Sequence, residues 1–319
     1  MLKENKYEEE YAMISGIRHY LLHYRSKPED PVFLFIHGGP GQSEASFAYM
    51  VEEYAGRNYN IVYYDQRGSG KTYLKNKKAR PNTEILKRDL FEVVKYLERV
   101  YQKDKIGILG HSWGSVLGSM FALEHPEHVL AYIGCGQVIN LVENETTGFS
   151  KLKDAVIKGK NRKDLKKLAK IGEYPSDHFD MKEYRKMGMV RDLQAKYDLA
   201  ASFDKNMLKV IRKSPIMGMK DLLPLITGLI VNMQVMKELM SFDLKERGTC
   251  YQTPIYYLLG EKDQQTPVEI SMRYFDEIEA PAKKLYMIRD AGHLTMLDNV
   301  VDYRKALCEI AEACQCDEE

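Results

Sequence analysis

Residues 105–118 read Lys-Ile-Gly-Ile-Leu-Gly-His-Ser-Trp-Gly-Ser-Val-Leu-Gly, and this stretch decides the fold. An apolar run typical of a buried β-strand stops at Gly110, and a pattern typical of a helix begins just after Gly114. Ser112 therefore lies on a sharp strand-to-helix turn with the pattern G-x-S-x-G. The two glycines leave room where a Cβ would strike the backbone, and the turn projects the serine side chain outward as a nucleophile.

The composition limits the classes of protein to which this chain can belong. Its 319 residues are 44% hydrophobic, which is enough for a large buried core. The formal net charge is only +1, so no global field favours nucleic acid or an anionic membrane as a partner. The first residues lack the apolar run of a secretory signal, and no run of 18 apolar residues could span a bilayer. We therefore expect a cytoplasmic protein that acts on a small molecule or a short peptide.

The five cysteines do not indicate a metal site. Cys308, Cys314 and Cys316 cluster near the C-terminus, but their spacing matches none of the usual zinc patterns and no fourth ligand lies nearby. Cys135 and Cys250 lie in apolar surroundings, and we expect both to be small core residues. The sequence thus predicts neither a metal nor a cofactor.

Strands and helices alternate along the first part of the chain. Apolar and polar residues alternate on both sides of Ser15-Gly16, which predicts an antiparallel hairpin of 7–13 and 17–24. Continuous apolar runs typical of strands buried on both faces occur at 32–36, 60–64, 106–109 and 129–135. Residues 83–101 carry the apolar stripe of an amphipathic helix. This alternation predicts a doubly wound, mostly parallel α/β sheet.

The alternation stops near Gln137 and resumes at Pro254. The intervening segment 137–253 has helical periodicity and no convincing strand, which predicts a helical lid inserted into a core formed by 1–136 and 254–319. Inside the lid, the apolar run 222–231 is too short to span a membrane. We expect that run either to form part of a pair of core helices within the lid or to line an apolar substrate pocket.

The core pattern after the lid supplies two partners for Ser112. Apolar runs at 255–259 and 284–289 predict strands, and Asp263 and His293 lie in the loops that follow them. A serine hydroxyl is a weak nucleophile at neutral pH, so a histidine must take its proton and a carboxylate must orient that histidine. We expect His293 to be the general base and Asp263 to fix its tautomer. A helix at 268–278 and a closing helix at 298–314 complete the core.

Other residues remain possible in these two roles. Glu261 and Asp290 lie close enough along the chain to be the acid instead of Asp263. The remaining histidines fit the role of base less well. His111 precedes the serine on the turn and is expected to point elsewhere, while His125 and His128 lie at the predicted end of a helix.

The chemistry of acyl transfer also requires two N–H donors for the oxyanion of the tetrahedral intermediate. The backbone N–H of Trp113, directly after the serine, is one candidate. The other is expected in the loop His37-Gly38-Gly39-Pro40-Gly41, whose glycines let the backbone approach a substrate closely and whose proline stiffens it. We expect the N–H of Gly39 to be the second donor.

Three motifs together resemble the proline iminopeptidase family of α/β-hydrolases. They are H-G-G-P-G at 37–41, D-Q-R-G-S-G at 65–70 and G-x-S-W-G at 110–114, in the order found in that family. The resemblance implies an α/β-hydrolase fold and a serine peptidase that removes an N-terminal residue, often proline, through an acyl-enzyme. It also implies that the second glycine of H-G-G-P-G and the residue after the serine form the oxyanion hole. In such enzymes, acidic residues of the lid bind the free α-amino group of the substrate.

The lid segment departs from the family pattern. Segment 137–253 lacks the Glu-containing aromatic motif of the family aminopeptidases and has more Lys and Arg than Asp and Glu. No motif therefore selects one acidic residue of the segment as the amine-binding carboxylate. The candidates are Glu143, Glu145, Glu173, Asp204 and Glu238.

Three functions are compatible with these residues. The first is an aminopeptidase of the proline iminopeptidase type, and the second is a serine esterase or amidase that binds a small apolar acyl group in a Met-rich lid. The third is a binding protein with a hydrolase fold, which the intact set of serine, acid and histidine argues against. The first two differ in one group, because an aminopeptidase needs a carboxylate that faces the amine and an esterase does not.

Overall fold

The computed structural model describes residues 7–200 and 212–316, and a single eight-stranded sheet lies at its centre. The strands are β1 (Glu8–Ile14), β2 (Ile17–Tyr24), β3 (Val32–Ile36), β4 (Asn60–Asp65), β5 (Ile106–His111), β6 (Val129–Cys135), β7 (Ile255–Gly260) and β8 (Lys283–Ile288). Their order across the sheet is β1-β2-β4-β3-β5-β6-β7-β8. β2 runs antiparallel to both of its neighbours, and all other neighbouring pairs are parallel. The predicted hairpin and mostly parallel sheet are confirmed.

Both faces of the central strands are covered. Every residue of β3 and of β5 is buried, and Leu34 and Phe35 belong to two different hydrophobic clusters because successive side chains of a strand point to opposite faces. The α-helices between β3 and β6 are α1 (Ala48–Glu52), α2 (Gly70–Lys75), α3 (Thr83–Tyr101) and α4 (Trp113–Glu124). The bounds of α3 are those that its apolar stripe predicts.

The segment between β6 and β7 contains helices joined by loops, and no strand, where the structure describes it. Its helices are α5 (Leu141–Gly159), α6 (Arg162–Ile171), α7 (Met181–Lys196), α8 (Leu222–Val231) and α9 (Met233–Leu239). We call residues 137–253 the lid segment. Helices α5 to α7 enclose a small hydrophobic cluster around Leu152 and Val190, separate from the two clusters that flank the sheet. That the lid segment is a domain distinct from the core stays a prediction.

The chain returns to the sheet at β7 and continues through α10 (Val268–Glu277), β8, α11 (Thr295–Asp298) and α12 (Val300–Cys316). The closing helix α12 is continuous and lies within two residues of the predicted bounds 298–314, and the one-turn helix α11 precedes it. Asn299 separates α11 from α12, because its side-chain oxygen accepts a hydrogen bond from the N–H of Asp302 and so caps α12. None of the described helices combines the length and apolar character that crossing a membrane requires.

Two expectations about apolar residues are wrong in part. Cys135 is buried as expected, but Cys250 is exposed and its thiol donates to the Glu279 carboxylate. Helix α8 is not enclosed within the lid segment, since the Ile226 side chain is 74% exposed. One side of α8 packs on the core, as described below, and the other side is exposed although it is also apolar.

Candidate active site

Ser112 lies on the turn between β5 and α4 with φ 53° and ψ −121°. Positive φ is uncommon for a residue with a side chain and is found where the surroundings impose strain. The flanking glycines are required for this turn. A Cβ on Gly110 would come within 2.5 Å of the Gly114 carbonyl oxygen, and one on Gly114 would come within 2.0 Å of the Ile36 carbonyl oxygen.

His293 and Asp263 form a buried pair beyond the ends of β8 and β7. Nδ1 of His293 lies 2.8 Å from Oδ2 of Asp263, and the two residues are 7% and 1% exposed. Burial alone would raise the pKa of Asp263, but the adjacent His293 and the hydrogen bonds from Thr266 hold it below its usual value. Because the ionised carboxylate can only accept, Nδ1 of His293 carries a proton and leaves Nε2 available as a base.

The loop after β7 shapes this pair. The other carboxylate oxygen of Asp263 accepts from the N–H groups of Gln265 at 2.8 Å and Thr266 at 3.0 Å. Glu261 and Asp290, the alternatives for the acid, are exposed. The Glu261 carboxylate accepts from the backbone of Asp290, whose own carboxylate lies 3.2 Å from the Lys262 ammonium. The structure therefore brings Asp263, and neither alternative, to the His293 imidazole.

The loop 37–41 lies against the serine turn. A Cβ built on Gly38 would lie 3.1 Å from the Cβ of Ser112, and Gly39 has φ 117°, a conformation that L side chains rarely adopt. Gly39 and Trp113, the two expected oxyanion donors, line the same cavity as Ser112. That their N–H groups bind an oxyanion stays a prediction.

The motif at 65–70 connects this loop to the turn. The side-chain amide of Gln66 donates to the His37 carbonyl at 2.9 Å, and its oxygen accepts from the Trp113 indole at 3.0 Å. The next residue, Arg67, makes two hydrogen bonds to the buried Asp89 carboxylate, at 2.7 and 3.0 Å. Two of the three motifs that carry the family resemblance are thus joined to the third by buried hydrogen bonds.

Ser112 and His293 open on a cavity of about 290 Å³ between the core and the lid segment. The core lines the cavity mainly with polar groups, and the loop 37–41 and the serine turn are part of this lining. The lid segment contributes most of the apolar lining, including Val138, Leu141, Met187, Leu229, Met236 and Leu239. A cavity with an apolar wall and a few convergent polar groups is the usual form of a small-molecule or peptide site.

Of the five acidic candidates in the lid segment, Glu145 lines this cavity. Its carboxylate contacts the Arg191 guanidinium and accepts from the Tyr174 hydroxyl at 2.5 Å. Arg191 also lines the cavity, so the carboxylate and the guanidinium enter the site as a pair.

The remaining acidic candidates do not line the cavity where the structure describes them. Glu143 pairs with Arg273 and with Lys245. Glu173 is exposed, and the Glu238 carboxylate accepts from the N–H of Thr83 at 2.8 Å. Asp204 lies outside the described residues.

Two further residues of the cavity were not predicted from the sequence as functional candidates. His111 does not point away from the site as expected, because its ring lines the cavity, and Glu44 joins it there. Nδ1 of His111 lies 2.6 Å from Oε1 of Glu44, which is 67 residues away along the chain. No local pattern signals such a contact, since Glu44 begins a short 3₁₀ turn and His111 is the last residue of a distant strand, β5.

Helix α8 covers the loops that form the site. A Cβ on Gly228 would lie 1.9 Å from the Gly41 carbonyl oxygen, so the two backbones are in direct contact. One turn later, the Asn232 side chain donates to the carbonyl of Gly68 at 3.0 Å. Leu229 of this helix lines the cavity, so the expectation that 222–231 lines an apolar pocket holds for one of its faces.

Comparison with known proteins places the chain among relatives of low identity. It is 24% identical over 267 residues to a protein named probable aminopeptidase YbaC from Bacillus subtilis, a match that covers 83% of this chain and 84% of that protein. It is 29% identical over 126 residues to a proline iminopeptidase from Saccharolobus solfataricus, and this match covers 40% of the chain and 39% of the relative.

Solved structures show the same architecture. The proline iminopeptidase from Mycobacterium smegmatis superposes with a TM-score of 0.70 at 13% identity, covering 98% of this chain and all (100%) of that one. At this identity, the likeness shows the fold alone. A family model described as the alpha/beta hydrolase fold matches residues 31–300, which is most of the sequence. The sheet, the serine turn and this match agree, and the chain belongs to the α/β-hydrolase family.

Proposed function

We propose that the protein is a serine hydrolase that works through an acyl-enzyme formed on Ser112. One observation carries this proposal: Ser112, on its strained turn, shares a cavity with His293, whose Nδ1 lies 2.8 Å from the Asp263 carboxylate. This is the arrangement of nucleophile, base and orienting acid that activates a serine hydroxyl.

The proposed reaction follows from these roles. Oγ of Ser112 attacks the substrate carbonyl carbon while Nε2 of His293 takes the hydroxyl proton, and Asp263 stabilises the resulting imidazolium. The N–H groups of Gly39 and Trp113 hold the oxyanion. When the intermediate collapses, the leaving group departs with the proton from His293. Water, deprotonated by His293, then attacks the acyl-enzyme, and collapse of the second intermediate returns the proton to Ser112 and releases the acid.

Within this class we propose an aminopeptidase that releases N-terminal residues from short peptides. Three observations support this assignment: the relative named a probable aminopeptidase, which matches 83% of the chain, the three family motifs, and the presence of Glu145 in the cavity. The ammonium group of the substrate would lie against the Glu145 carboxylate, with the apolar side chain of the first residue among the lid residues. A carboxylate oxygen can accept a second hydrogen bond besides the one it already has.

A serine esterase or amidase for small apolar acyl compounds is the second candidate. It is favoured by the contacts of Glu145, whose charge is already balanced by Arg191 and whose second oxygen already accepts from Tyr174. A substrate without a charged amine would leave that pair undisturbed and would use the apolar wall of the cavity.

Matched substrates separate the two candidates. Proline p-nitroanilide, its N-acetylated form, other aminoacyl anilides and short p-nitrophenyl esters should be compared by kcat/KM. For an aminopeptidase, we expect acetylation to lower kcat/KM at least about a hundredfold, because it removes the substrate ammonium that would bind the buried Glu145 carboxylate.

The same comparison in two variants assigns the amine-binding group. Glu145→Gln should remove most of the preference for the free amine, whereas Glu143→Gln, on the same helix but outside the cavity, should retain it. Equal rates on blocked and free anilides, with esters far faster than both, would favour the esterase.

A further inference from the structure

A second pair of acid and histidine is buried beside the serine turn. Glu44 begins a 3₁₀ turn, Glu44–Phe47, and His111 is the last residue of β5, directly before Ser112. Oε1 of Glu44 lies 2.6 Å from Nδ1 of His111, and their side chains are 4% and 2% exposed. Neither side chain takes part in the chemical steps proposed above, although both line the cavity.

The other ring nitrogen of His111 contacts the residue that carries the proposed base. Nε2 of His111 lies 2.9 Å from the carbonyl oxygen of His293, and the centroids of the two rings are 4.9 Å apart. A carbonyl oxygen only accepts, so this contact requires a proton on Nε2. The contact with Glu44 requires a proton between Nδ1 and the carboxylate as well.

The charge of the Glu44 carboxylate favours the doubly protonated imidazolium form of His111. Burial alone would lower the pKa of His111, but the Glu44 carboxylate, through its charge and its hydrogen bond, raises the pKa above the ordinary value of a histidine. An imidazolium donates simultaneously to Glu44 and to the His293 carbonyl, so both contacts are satisfied.

We propose that Glu44 and His111 are positioning residues that hold the His293 loop while Asp263 holds the His293 imidazole. The proposal rests on the function proposed above, in which His293 is the base. His293 is then held at its carbonyl by His111 and at Nδ1 by Asp263, which leaves Nε2 directed by two independent contacts. Precise placement matters, because a shift of about 1 Å in a catalytic group lowers a rate by on the order of a hundredfold.

At alkaline pH, the two contacts of His111 cannot both be satisfied. Above its raised pKa, His111 keeps one proton. If that proton stays on Nε2, the bare Nδ1 faces the Glu44 carboxylate, and if it moves to Nδ1, the bare Nε2 faces the His293 carbonyl. One of the two contacts becomes repulsive in either case, so the reaction rate should fall as pH rises through the pKa of His111.

Three of the surrounding groups keep one charge state while His111 titrates. Besides Glu44, the titratable groups around His111 are Asp263, His293, His37 and Cys135. Burial lowers the pKa of His37 and raises that of the Cys135 thiol to about 12, so both are uncharged where His111 titrates. Asp263 is ionised throughout, because its pKa is held below the usual value.

The test uses a reagent that needs no knowledge of the substrate. The second-order rate constant for phosphonylation of Ser112 by a small fluorophosphonate should be measured from about pH 5 to pH 10 in the wild type and in Glu44→Ala, Glu44→Gln and Glu52→Gln. In this reaction, Oγ of Ser112 bonds to phosphorus, fluoride leaves and His293 takes the hydroxyl proton. Glu52 is the matched control, a buried glutamate that accepts from Tyr63 and Tyr59 and does not line the cavity.

We expect Glu44→Ala to react about ten to a hundred times more slowly at neutral pH, because His111 loses the group that orients it. Glu44→Gln should stay within about fivefold of the wild type, since its amide can donate to a bare Nδ1 while Nε2 still donates to His293. The alkaline fall should be present in the wild type and in Glu52→Gln and absent in Glu44→Gln.

Several results would overturn the proposal. They are a wild-type rate in Glu44→Ala, an unchanged alkaline fall in Glu44→Gln, or equal losses in both Glu44 variants, which would indicate a role of charge and not of position. If Glu44→Ala does not fold, the test depends on the alkaline part of the two rate profiles, where the fall should be present in the wild type and absent in Glu44→Gln. If the wild type is not labelled at Ser112, the proposed function fails and this inference fails with it, whereas labelling without any effect at Glu44 removes this inference alone.

Discussion

At the scale of single residues, the serine turn depends on the absence of two Cβ atoms. Gly114→Ala would place a carbon 2.0 Å from the Ile36 carbonyl oxygen, so β3 and α4 would have to separate. We expect this variant to lose roughly 3 kcal/mol or more of unfolding free energy, a loss diagnostic of overpacking in a buried site.

Gly188→Ala is the matched control, because a Cβ at Gly188 in α7 meets nothing within 4 Å. Alanine is the better helix former there, so stability should rise by about 0.5–1 kcal/mol. Urea denaturation of both variants tests the pair of expectations, and a Gly114→Ala protein as stable as the wild type would contradict the account of the turn.

Residues that occur in local patterns could be predicted from the sequence, and residues that meet only in space could not. Ser112 directly follows β5, and Asp263 and His293 lie in the loops after β7 and β8, so the position of each one in the chain already indicates its place at one edge of the sheet. Glu44 meets His111 from an aperiodic turn. No periodicity or spacing signals that contact, and the roles of all five residues remain proposals.

At the scale of elements, α8 is fixed to the loop that carries Gly39. Gly228→Ala would place a Cβ 1.9 Å from the Gly41 carbonyl oxygen and push the helix away from that loop. We expect phosphonylation of Ser112 to slow at least about tenfold, because the proposed oxyanion donor in the loop loses its support, while the sheet stays folded.

Thr227→Ala provides the control for this prediction. Thr227 is the preceding residue of α8, and its exposed hydroxyl donates to the Leu223 carbonyl within the same helix. The control should react at the wild-type rate. Equal rates in Gly228→Ala and Thr227→Ala, with both proteins folded, would show that α8 does not support the loop.

The bounds of helices and strands could be predicted where the burial of an element alone determines its pattern of apolar residues. Buried parallel strands are apolar throughout and α3 has one apolar stripe, so their bounds agree closely with those expected. Helix α8 is apolar on an exposed side as well as on the packed side, and its sequence therefore resembles that of a core helix. The packing of α8 depends on two glycine backbones in contact, which hydrophobic periodicity does not report.

At the scale of the whole molecule, the two sides of the cavity have different origins. The core supplies the proposed catalytic groups at one edge of the sheet, and the lid segment supplies most of the apolar wall together with the pair Glu145 and Arg191. The alternation of strands and helices predicted the sheet and the insertion of helices between β6 and β7. It could not predict which lid side chains reach Ser112, because that depends on how separate helices pack on the core.

The central claim is that Ser112 is the nucleophile, and stoichiometric labelling tests it most directly. The wild-type protein and Ser112→Ala should be treated with a serine-directed fluorophosphonate and analysed by intact-protein and peptide mass spectrometry. We expect one label per wild-type chain, located on Ser112, and none on the alanine variant. A label on a different residue, or equal labelling of both proteins, would contradict the account.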